Sequence, residues 1–82
     1  MDSTIQYWAQ QALQYRNELI SLQHGVDALR EDGLVAAADK AEGTIRVVTR
    51  MKDRAEAQIR SKGVDVNHAL FRVLIQGVRI ND

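Results

Sequence analysis

The chain reads as an all-α protein: a long antiparallel helical hairpin of about residues 4–31 and 34–61, followed by a short C-terminal helix of about 66–78. Three observations predict this. The 82 residues contain no proline, so nothing forces a break in a long helix. Apolar residues recur three and four apart through two successive stretches, the spacing of a helix-packing seam. Between those stretches sits Asp32-Gly33-Leu34, the one strong turn signal in the first two-thirds of the chain.

In the first arm, Ser3 or Thr4 offers a hydroxyl N-cap for an otherwise unpaired amide of the first turn. The seam then runs through Ile5, Trp8, Ala12, Tyr15, Leu19, Leu22, Val26 and Leu29. Leu13 and Ile20 flank it and widen the apolar stripe, so that flank calls for cover from beyond the second arm. His24-Gly25 interrupts good helix formers, and a glycine inside a helix costs about 1 kcal/mol relative to alanine.

The second arm carries Ala38, Ala41, Ile45, Val48, Lys52, Ala55, Ile59 and Lys62 at the same alternating spacing. Paired in reverse order with the first seam, from Leu29 with Ala38 to Ile5 with Lys62, the two residue numbers have one constant total. Levels in an antiparallel pair demand that constancy, and it centres the turn on Gly33. Glycine there can take the left-handed conformation that ends a helix, and Leu34 can supply the accompanying apolar contact. Lys62-Gly63 marks the second helix end in the same way.

Asp65 or Asn67 can cap a third helix. On a helical wheel Val66, Ala69, Leu70, Val73, Leu74 and Gly77 form one apolar face and Phe71, Ile75 and Val78 a second. A helix apolar on two sides is expected to be covered on both. One side suits the hairpin, around Trp8, Leu13, Ile20 and Ile59; the other has no evident partner in the chain. A strand over residues 69–80 stands as the alternative, because Phe71, Val73 and Ile75 are good strand formers.

Eighty-two residues suggest a single helical domain, 1–82, with a small core that self-association would complete as a bundle. No cysteine is present, and His24 and His68 are too few for a structural metal site, so neither metal nor cofactor is expected. No segment approaches the roughly 20 apolar residues of a membrane span, and no secretory leader pattern is visible, which makes a cytoplasmic protein the expectation. Net charge is zero but unevenly spread. Residues 1–45 hold seven acids against three bases, whereas residues 46–62 hold six bases against two acids. Within the basic block Arg46, Arg50, Arg54 and Arg60 fall near one face, a stripe that can meet phosphates or an acidic surface, or simply be solvated. No aromatic side chains interleave these arginines to stack on bases.

Catalytic spacing is lacking. His24 and His68 lie on different helices, and no glycine-rich phosphate loop or nucleophile elbow occurs. The expectation is therefore a small non-enzymatic protein–protein interaction module acting through apolar helix faces, with Phe71, Leu74, Ile75, Val78 and Trp8 at the partner or dimer interface. Helical hairpins of this size occur among secretion chaperones, plasmid RNA-binding hairpin dimers and phage-encoded inhibitors, a likeness of architecture alone that suggests a bacterial or phage accessory protein. The alternative is a nucleic-acid-binding hairpin dimer that uses the arginine face.

Overall fold

A computed structural model describes the backbone of residues 2–80 and the side chains of residues 2–76. Three helices follow in order: α1, Ser3–Glu31; α2, Val35–Ser61; and α3, Val66–Ile80. α1 and α2 form the antiparallel hairpin, and α3 packs on its open end, chiefly against α1. Residues 69–80 are helical, so the strand alternative falls.

Each helix boundary has a local cause. Asp2, rather than Ser3 or Thr4, caps α1, its Oδ1 accepting from the Thr4 N–H at 2.6 Å. A carboxylate is a charged and therefore stronger acceptor than a neutral hydroxyl at this position, and α1 begins one residue earlier as a result. That N–H holds the Asp2 carboxyl below its ordinary titration range. At the far end Gly33 takes φ +77, its N–H donates to the Arg30 carbonyl at 3.0 Å, and the Leu34 N–H donates to the Leu29 carbonyl at 2.9 Å. This paired pattern is the Schellman close of a helix, available here because glycine has no Cβ to clash at positive φ. Leu34 itself stays 52% exposed, so the backbone bonds rather than an apolar contact hold the turn. Gly63, at φ +74, ends α2 likewise, with its N–H on the Arg60 carbonyl. Asp65 caps α3 by accepting the His68 N–H at 2.9 Å.

Every seam position of α1 is buried or half-buried, as are those of α2 except Lys62, which lies beyond the last residue of α2 and is exposed. Val26, Ala38 and Val48 are buried within the hairpin itself, and the cluster that joins all three helices is displaced toward the open end. It joins Ile5, Ala9 and Ala12 of α1, Ala55 and Ile59 of α2, and Val66, Ala69, Leu70 and Val73 of α3, with Trp8, Leu13 and Val64 at its edge. Alanines at the contact points let the helices approach closely. Ala9 lies off the hairpin seam and is buried because α3 covers that flank of α1.

Two expected contacts of α3 are not made. Ile20 remains 58% exposed, since α3 packs beside the open end and does not reach that level. Leu74 turns outward, 53% exposed, leaving Val66, Ala69, Leu70 and Val73 as the inner face. The molecule measures 46 × 32 × 14 Å. The long dimension matches a helix of α1's length, and the 32 Å width exceeds the roughly 20 Å of two helices side by side, so α3 leans out from the hairpin axis.

Candidate interaction surfaces

The only buried charge among the described residues is Glu56, 5% exposed. Its Oε2 lies 3.3 Å from Arg16 Nε and 3.7 Å from Lys52 Nζ, and its Oε1 lies 3.4 Å from an Arg60 guanidinium nitrogen. Arg16 Nη1 in turn donates to Asn67 Oδ1 at 3.3 Å, so one carboxylate ties all three helices. Nearer the turn Arg30 donates to Glu42, and Asp39 stands at 4.0 Å. The cross-hairpin pairs Arg16–Glu56 and Arg30–Glu42 have the same total of residue numbers, as one antiparallel register requires. That total exceeds the seam's because side chains lean toward each helix's N-terminus, in opposite directions on the two arms.

These ion pairs occupy one side of the seam. On the other side an open groove of about 930 Å³ has mainly apolar walls. It begins beside Val73 and Leu13, passes Gly25 along α1, and ends between the arms at Leu22, Leu29, Ala41 and Val48. A Cβ built on Gly25 meets nothing within 4 Å, so nothing inside the chain requires glycine there. Met51 of α2 is 43% exposed.

α3 presents a second apolar surface. With its inner face in the core, it shows Phe71 (58% exposed), Leu74 and Ile75 to solvent. Val78, expected beside them, lies outside the residues whose side chains are described. Trp8 is not part of this surface: it packs half-buried against the core, edge-on to the Tyr7 ring with centroids 5.0 Å apart.

The arginine stripe is partly dismantled. Arg46, Arg50 and Arg54 are exposed and make no ion pair among the described residues, but Arg60 turns to Glu56 instead. Its neighbours Lys52 and Arg60, four residues either side of Glu56, were the sequence signal for that network; Arg16's part in it was not legible, since it depends on the register across the hairpin. His24 and His68 are both exposed and on separate helices. Among the described residues, no three His, Cys, Asp or Glu side chains are grouped to hold a metal ion, and no helix is long and apolar enough to cross a membrane. Compared with protein-family models, with curated proteins and with solved structures, the chain matches none.

Proposed function

We propose that this chain is a non-enzymatic protein–protein interaction module that docks through apolar helix faces left uncovered within the chain. The observation that carries the reading is α3, which buries one face in the core and holds out Phe71, Leu74 and Ile75 on the other. Contiguous apolar surface of this kind is uncommon on a monomer that has no partner, because it stays in contact with water at a cost of about 25 cal/mol per Å². Glu56, the one buried carboxylate among the described residues, is engaged by three cations and so is spent on structure rather than left free for proton transfer.

The test is capture from the native host with immobilised chain. Wild type should retain a partner that the Phe71→Asp/Ile75→Asp variant loses while keeping its helical circular dichroism. Equal capture by both chains sinks the reading. A second reading, nucleic-acid binding, is favoured by the exposed and unpaired Arg46, Arg50 and Arg54. It requires gel retardation that falls steeply with salt and is lost in Arg50→Glu/Arg54→Glu.

A further inference from the structure

We infer that the outward face of α2 is a separate docking surface whose occupant is an acidic amphipathic helix of another protein, its carboxylates on Arg46, Arg50 and Arg54 and its apolar row over Val47 and Met51. The inference adds a second surface to the interaction reading above and does not depend on α3. Charge is the first argument. All four acids of α2 are engaged elsewhere: Glu42 by Arg30, with Asp39 beside the same guanidinium, Asp53 by Lys52, and Glu56 by Arg16, Lys52 and Arg60. Glu42 stands four residues before Arg46 and Asp53 three after Arg50, the spacings at which a helix pairs such residues, yet each is drawn to another cation. Arg46, Arg50 and Arg54 are left exposed, with no ion-pair partner among the described residues. A counter-charge for this row has to come from outside.

Spacing and polarity select the kind of partner. Residues four apart on a helix rise about 6 Å, so the three arginines repeat at that interval over about 12 Å. Val47 and Met51 repeat at the same interval in the adjoining row, each three residues before an arginine, and both side chains are exposed. A helix laid alongside α2 carries the same repeat in its own rows. Its Glu or Asp residues four apart can each meet a planar guanidinium bidentately, while its apolar row takes Val47 and Met51 out of water. A phosphate backbone matches the arginine row alone, and α2 has no aromatic side chain on which bases could stack. None of these five residues belongs to the three-helix cluster, so the face can be altered without opening the core.

The probe is a labelled synthetic peptide of about 20 residues, long enough to be helical in isolation, with leucines and glutamates in adjacent rows. Its fluorescence anisotropy on titration with the chain should report binding that weakens as salt rises. Arg50→Glu/Arg54→Glu should bind it about tenfold or more weakly, and so should Val47→Gln/Met51→Gln, both keeping their helical circular dichroism. A second peptide, with lysine in place of every glutamate, should invert the first result and prefer the Arg50→Glu/Arg54→Glu chain to wild type. A wild type that fails to bind the acidic peptide, or binding indifferent to Val47→Gln/Met51→Gln, overturns the inference. Retardation of a DNA or RNA duplex that needs Arg50 and Arg54 but not Val47 and Met51 gives the face to nucleic acid and overturns it as well. Phe71→Asp/Ile75→Asp should leave every titration unchanged, so this inference and the reading of α3 fail separately.

Discussion

Glu56 shows how one residue can hold a small fold together. Its carboxylate is out of water, yet it is surrounded by Arg16, Lys52 and Arg60, two of which reach back to solvent. Removing the carboxylate leaves those cations free to rehydrate, whereas removing Arg16 alone leaves Glu56 with two partners. Glu56→Ala should therefore cost about 1–3 kcal/mol in chemical denaturation, and Arg16→Ala less. Equal losses, or a larger one for Arg16, would contradict this picture. Lys52, Glu56 and Arg60 stand at helical spacing, but the sequence reading placed Lys52 on the seam and Arg60 on the arginine face, and the burial of Glu56 depends on the register that brings Arg16 across the hairpin. Trp8 and Arg60 carry the same lesson: each was expected at a docking face, and each is drawn instead into the open-end assembly.

Among the elements, the hairpin was the most legible. Its two seams repeat over many turns, so small errors at any one position do not change the register, and the glycine turn marks its centre independently. α3 was less so. With apolar residues round most of its circumference, the wheel could not decide which were inner, and Leu74 went to the outside while Ile20 on α1 was left bare. The turn makes a firm prediction. Gly33 sits at φ +77, where a Cβ is strained whatever the surrounding space, so Gly33→Ala should destabilise by about 1 kcal/mol. Gly25→Ala, in ordinary helix with open space around it, should stabilise the isolated chain by about the same amount. Thermal melts of the two variants at low protein concentration should thus move in opposite directions.

For the whole molecule, the smallness of the core is the controlling fact. Nine residues from three helices make one enclosed cluster, and the rest of the hairpin is held by buried Val26, Ala38 and Val48, by half-buried seam residues and by ion pairs. With a core this small the margin of stability is narrow, and the loss of one core contact is a large fraction of it. The placement of the cluster has a kinetic consequence as well. It lies at the end of the hairpin farthest from Gly33, so its residues are brought together only by closing a loop that contains most of the chain. A zipper started at the turn gains the burial of Val26, Ala38 and Val48 on its way, whereas a cluster started at the open end meets the full loop-closure entropy first. Chain entropy thus favours assembly from the turn outward, with the three-helix cluster at the open end closing last.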